Sequence, residues 1–360
     1  LLVVPVHAQT ALILATANPL VAAAPAPLEL PFLLPIANRP LLFHLIDDLV
    51  AAGMRRLVIG APPVALLQLR AVGLDRERWD ADLRFLVVPE RADPVRAIAG
   101  AHTEGALDGG PFVLHLADCR QRGVALQPPP GASLRADARL FVSEEGGDVV
   151  PLPAPGDAVA ARARWQPPPR HRLTGVQVLG PAALGAAREL ADELTGAIGI
   201  ARLADRVAER GGHVETVAVD DCWRYSGMID DLLGENRRVL SQIEHSVDPA
   251  SLVDSTVHGV AAIHPTAQLA STLVRGPVVI GAHAELSDAY IGPYTAIGPG
   301  AVVRGTEVEN SIVVAGARLR HVGLRLEASV IGRDAEVMRD FRLPRALHLW
   351  VGDRARIVLS

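Results

Sequence analysis

From Ile263 the apolar residues of this chain recur six positions apart: Ile263 and Leu269, then Val274, Ile280 and Leu286, then Ile291, Ile297 and Val303, then Val313 and Leu319, then Ile331 and Val337. A period of six fits neither a helix nor a simply alternating strand. It is the hexapeptide pattern of a parallel β-helix, in which each hexad builds one flat side of a triangular coil. Turn residues follow several of these positions, as in Ile280-Gly281, Ile291-Gly292-Pro293 and Ile297-Gly298-Pro299. The spacing falls to five at Leu286 to Ile291 and at Val303 to Val308, which reads as imperfect coils. A β-helix domain is therefore expected over residues 246–360.

The first 245 residues carry a different pattern. Ala11 to Ala15 (ALILA) is a short apolar run, as in a strand buried on both faces of a parallel sheet. PLLFHLIDDLVAAG then reads as a helix with Pro40 at its first position, an apolar stripe of Leu41, Leu42, Leu45, Ile46 and Leu49, and Gly53 as terminator. Strands are expected at Arg56 to Ile59, Arg84 to Val88 and Phe112 to Leu116, with a helical or irregular crossover over Ala97 to Leu107. Such alternation predicts a Rossmann-like, doubly wound parallel α/β sheet. Its chemistry belongs at the carboxyl ends of the strands, after Ala15, Val88 and Leu116. The proline-rich stretches Gln127 to Ser133 and Trp165 to Arg172 read as surface loops, and helices at Pro181 to Leu194 and Met228 to Ile243 close this half.

Composition narrows the functional classes. The chain is 49% hydrophobic and 4% aromatic, so its core is aliphatic. A net charge of -5 without a basic run leaves no source for the counterion release that drives nucleic-acid binding. No apolar run reaches the roughly 20 residues of a membrane span, because Pro19, Pro25, Pro27 and Pro31 interrupt the candidate. Two cysteines, Cys119 and Cys222, make neither a disulfide framework nor a structural zinc site, and they suit a reducing cytoplasm. All 35 positive residues are arginine; there is no lysine.

A parallel α/β domain followed by hexads resembles the long form of glucose-1-phosphate thymidylyltransferase, within the sugar-1-phosphate nucleotidyltransferases. LPIANRPLLFHLIDDLVAAGMRRLVI (Leu34 to Ile59) and RGPVVIGAHAELSDAYIGPYTAIGPGAVV (Arg275 to Val303) carry the resemblance. It implies a left-handed β-helix and a reaction joining a sugar 1-phosphate to the α-phosphate of a nucleoside triphosphate, with Mg2+ and release of pyrophosphate. That chemistry needs backbone donors around the triphosphate, cations against the developing charge, and carboxylates on the metal.

Against the family's motifs this chain departs at several points. The GGxGTR loop falls on Thr16, Ala17, Asn18, Pro19, Leu20 and Val21, which removes every glycine and puts Val21 in place of the arginine. The lysine of PKQL falls on Pro31, and that of EKP near Ala154. The base-reading Gln falls near Glu90, and the Gly-Leu-Ala turn after it near Val95 to Ala97. The metal-binding Asp of GDN is kept as Asp118, whereas the second metal carboxylate, in WxDTG, falls on Tyr225 of WRYSG. Gly175, Trp223 and Gly227 keep the sugar side of the pocket. Losing one electrostatic stabiliser costs about 3 kcal/mol of barrier, so the joint loss is on the order of 8 to 12 kcal/mol, about a millionfold in rate at the lower figure.

Three readings follow. The first is a catalytically impaired homologue, regulatory or architectural or binding a sugar nucleotide, with Thr16, Ala17, Glu90, Asp118, Gly175 and Arg224 as ligand contacts and Asp118 as a vestigial metal ligand. It would self-associate or pair with an intact homologue, because an open β-helix end needs covering. The second is an active transferase in which Arg91, Arg96 and Arg224 clamp phosphate in place of lysine. The third is an acyltransferase on the β-helix using His258, His264, His283 or His321 as base. Cys119 and Cys222, each beside one of the two metal positions, are expected to be neighbours, either as small buried hydrophobes or as a functional thiol or metal pair.

Overall fold

The computed structural model describes residues 9–16, 30–71, 74, 78–90, 92–122, 137–143 and 172–339. In chain order these form β1 (Thr10–Leu14), β2 (Pro35–Ile36), β3 (Arg39–Pro40), α1 (Leu41–Ala51), β4 (Arg56–Ala61), α2 (Pro63–Ala71), β5 (Asp82–Val87), α3 (Pro94–Thr103), β6 (Phe112–Leu116) and β7 (Cys119–Gln121). Then come β8 (Ala138–Ser143), β9 (Arg172–Leu179), α4 (Pro181–Glu193), α5 (Ile200–Glu209), β10 (Val214–Ala218), β11 (Cys222–Arg224) and α6 (Ile229–Leu240), followed by sixteen short strands from Leu252 to Met338. By contacts the described residues divide into two compact units. One takes in residues 9–16, Leu30–Leu33 and Leu42–Ser226; the other takes in Leu34–Leu41 and residues 227–339.

The first unit is a seven-stranded sheet in the order β10-β8-β9-β6-β1-β4-β5. Alternation along β1 explains its two layers. Leu12 and Leu14 point into a core with α3, α4 and α5, while Ala11 and Ile13 point into a second core with α1 and α2. The strands read from the sequence, β1, β4, β5 and β6, pair parallel as expected, and the full sheet is mixed, since β9 runs antiparallel to both β6 and β8. A strand buried on both faces, as β9 is from Leu173 to Leu179, encodes its burial in its composition and carries no mark of its direction.

Local chemistry sets the helix limits. α3 starts at Pro94 rather than Ala97, because Asp93 caps it by accepting from Arg96 N–H at 2.9 Å and Pro94 fills the first turn. Pro40, expected to open α1, lies instead in a hairpin opposite Pro35, and α1 begins at Leu41. Gly53, at φ +92°, ends that helix as expected.

The second unit is the parallel β-helix. Three ladders stack, and their inward residues are those of the six-residue pattern: Leu269 on Leu286 on Val303, Val274 on Ile291 on Val308, Ile280 on Ile297 on Val313. Leu286, Ile291, Ile297 and Val303 are each at most 2% exposed. The five-residue spacings are part of the coil. They recur at one corner, from Leu269 to Val274, Leu286 to Ile291 and Val303 to Val308, where Ser271, Asp288 and Gly305 take φ of +49°, +50° and +53°. Left-handed residues turn the chain there, as His283 and Tyr294 do at the other corners, and this side is one residue shorter. In the same unit the β2–β3 turn and α6 are tied to the coils. Ala37 N–H donates to Asn236 Oδ1 (2.9 Å), Asn236 Nδ2 to Tyr294 O (3.1 Å), and Asn38 Nδ2 to Ile297 O (2.6 Å).

Candidate functional site

Strands β1, β4, β5 and β6 are parallel and end on one side of the sheet, where open α/β folds hold ligands. The backbone there is knit together: Ala15 N–H donates to Gly60 O (2.8 Å) and Ala117 N–H to Leu14 O (3.0 Å). Thr16 is half-buried at the end of β1. After β6 the chain turns through Ala117 and Asp118 into β7, which pairs antiparallel with β11 so that Arg224 lies opposite Cys119.

This short ribbon joins residues more than a hundred positions apart. Arg224 Nε donates to Asp118 Oδ2 at 3.1 Å, and Tyr225 N–H donates to Asp118 O at 2.9 Å. The Arg224 and Asp118 side chains are 9% and 8% exposed, so the pair is buried. Tyr225 is fully buried. On the other face of the ribbon Arg120 grips Asp48 of α1, Nε to Oδ2 and Nη2 to Oδ1, both at 2.9 Å. Burial raises the Asp48 carboxyl above its ordinary value, against the pull of Arg120.

The two cysteines are brought into one neighbourhood, as expected, and the surroundings keep their thiols protonated. Burial raises Cys119 well above the ordinary thiol value, with Asp118 adding to it, and raises Cys222 to about 11, also mainly by burial. Cys119 Sγ donates to Leu116 O at 3.2 Å. It also fills the space a side chain on residue 175 would need, since a Cβ on Gly175 would come 2.3 Å from Cys119 Sγ. Gly175 is thus a socket for the sulfur. His115 Nδ1–H donates to Leu116 O at 2.8 Å, and burial lowers this imidazole to about 4, so it is neutral.

The donors here do not fit Mg2+. A hard cation demands several oxygen ligands in near-octahedral array. Asp118 is turned to a guanidinium, Tyr225 is a phenol in the interior, and among the described residues no group of three or more His, Cys, Asp or Glu could hold a metal.

The remaining expected contacts are scattered. Glu90 is exposed in the turn after β5, and Pro31 is buried in a single 3-10 turn. Arg96 donates to Asp93 Oδ2 (2.6 Å), to Leu194 O (2.6 Å) and to Gly196 O, tying the start of α3 to the segment after α4. Trp223 is half-buried on β11, and Gly227 follows at φ +95°. Ala17, Val21, Arg91 and Ala154 lie outside the described residues, as do both proline-rich stretches up to His171. His258, His264, His283 and His321 are all exposed on the β-helix; His264 Nδ1 is 2.9 Å from Thr266 Oγ1. Sequence reasoning missed the Asp118–Arg224 and Asp48–Arg120 pairs and the packing of Cys119 on Gly175. The three-residue strands CRQ and CWR are too short to announce their pairing.

No family model matches the chain. It is 27% identical over 339 residues to glucose-1-phosphate thymidylyltransferase of Streptomyces antibioticus, covering 91% of this chain and 93% of that protein. It is 29% identical over 336 residues to the protein of the same name in Streptomyces griseus, with the same coverage. The low-salt glycan biosynthesis nucleotidyltransferase Agl11 of Haloferax volcanii is 25% identical over 348 residues, again covering 91% and 93%. The chain is therefore sugar-1-phosphate nucleotidyltransferase-like over most of its length. No helix among the described residues is long and apolar enough to cross a membrane.

Proposed function

We propose that this protein is a catalytically impaired relative of the sugar-1-phosphate nucleotidyltransferases that binds a sugar nucleotide and serves as a regulatory or architectural subunit. One observation carries the reading: at the strand ends where transfer would occur, the carboxylate of Asp118 is neutralised by Arg224, in a chain without lysine. Transfer needs an excess of positive charge around a triphosphate. A site whose Asp118 and Arg224 cancel offers little. A finished sugar nucleotide carries a diphosphate and asks for less, so product-like ligands are disfavoured less than substrates. The β-helix is the part assigned to assembly, with itself or with an intact homologue, because stacked repeat arrays readily associate.

The test is a melting panel of dTDP-, UDP-, GDP- and ADP-sugars against the matching triphosphates. A ligand at a hundredfold excess over its Kd stabilises the native state by about 2.7 kcal/mol, a rise of a few degrees for units of this size. At least one sugar nucleotide should give this shift, larger than its triphosphate does. No shift and no heat of binding in calorimetry would remove ligand binding and leave an architectural role.

A further inference from the structure

At the nucleotidyltransferase-like site the Asp118 carboxylate is enclosed, and a fixed cation already stands against it. Arg224 Nε lies 3.1 Å from Asp118 Oδ2, and Tyr225, next in the chain, donates its backbone N–H to Asp118 O, so β11 holds both the guanidinium and the turn that carries Asp118. The arrangement is built from backbone pairing. Arg224 faces Cys119 across the ribbon, and the register places its side chain beside the residue preceding Cys119.

We propose that the Arg224 guanidinium takes the place of the divalent cation at Asp118, so that this end of the sheet has no Mg2+ site. The inference deepens the reading above and rests on it for the location of the site. Physically, a divalent ion brought to Asp118 would lie within a few ångströms of a guanidinium that cannot deprotonate, and a single shared carboxylate cannot offset that repulsion. Arginine stays charged at every working pH, so the counter-charge to Asp118 is permanent. It does not supply the second charge or the bridging coordination through which a metal assists transfer. Substitution of this kind keeps Asp118 neutralised and forfeits the chemistry that a metal would supply.

The experiment uses the full-length chain with Mn2+ as the probe. Manganese binding is followed by electron paramagnetic resonance, and melting is recorded with Mg2+ and with EDTA. The expected result is no stoichiometric Mn2+ site and the same melting temperature in both buffers. Arg224→Leu removes the counter-charge from a buried carboxylate and should lower the melting temperature by several degrees, with Mn2+ restoring part of the loss. One Mn2+ bound per wild-type chain and abolished by Asp118→Asn would overturn the proposal, and this arm decides even if Arg224→Leu does not fold. The two readings fail separately. Mn2+ bound at Asp118 without nucleotidyl transfer defeats this inference alone, whereas nucleotide sugar formed in EDTA defeats the impaired-enzyme reading alone.

Discussion

The β-helix and the carboxyl end of the sheet are both buried, and they encode their structure in opposite ways. In the β-helix each inward residue stacks on its equivalent one coil away, as Leu269 does on Leu286 and Leu286 on Val303. Every coil restates the same rule, so a single position carries information about its neighbours. At the end of the sheet nothing repeats. Asp118 meets Arg224 only because two three-residue strands pair across more than a hundred residues. Repetition makes a fold legible and robust; a site made of single long-range meetings is free to change charge by charge.

That contrast sets the order of expected effects. The largest belongs to the repeat: Ile291→Asp puts a carboxylate into a fully buried position stacked between Val274 and Val308 and should cost about 4 kcal/mol or more. Circular dichroism and melting of the full chain should show the β-helix transition lost or sharply lowered. A mild shift would mean the coil interior tolerates charge, and the contrast would weaken.

A middle-sized effect comes from His115 in the sheet. Its folded value of about 4 lies below the unfolded value near 6.5, so the unfolded chain binds the extra proton. Stability tied to this residue is present above pH 6.5 and is lost as pH falls toward 4, on the order of 3 kcal/mol in all. His115→Gln should flatten the pH dependence of melting in that window. An unchanged slope would show that His115 is not the group responsible.

The smallest effect probes the sulfur socket. Gly175→Ala should destabilise by about 1–3 kcal/mol, since its Cβ collides with Cys119 Sγ in a packed interior. Cys119→Ala in the same chain should recover most of that loss, a non-additivity measurable by a double-mutant cycle. Additive losses would mean that Gly175 is needed for something other than room for the thiol.

How far the sequence could be read follows the same line. The six-residue period located the coils, and alternation in ALILA placed β1 between two cores. What stayed hidden was directional or pairwise. The antiparallel run of β9 leaves no trace in an all-apolar strand, and the five-residue corners looked like flaws until Ser271, Asp288 and Gly305 stacked as one left-handed turn. At the site, aligned positions identified Asp118 as the surviving carboxylate. Its pairing with Arg224 and the packing of Cys119 against Gly175 were not legible. Long-range pairing decides such roles, and a single sequence does not display it.

If the Asp118 and Arg224 charges cancel as proposed, the end of the sheet has no engine for transfer. The direct measurement is pyrophosphate release by the full-length protein, given glucose 1-phosphate, each nucleoside triphosphate in turn, and Mg2+. The expected result is release indistinguishable from the enzyme-free control and no nucleotide sugar by chromatography. Release well above that control, abolished by Asp118→Ala, would contradict it and establish an active transferase built on arginine.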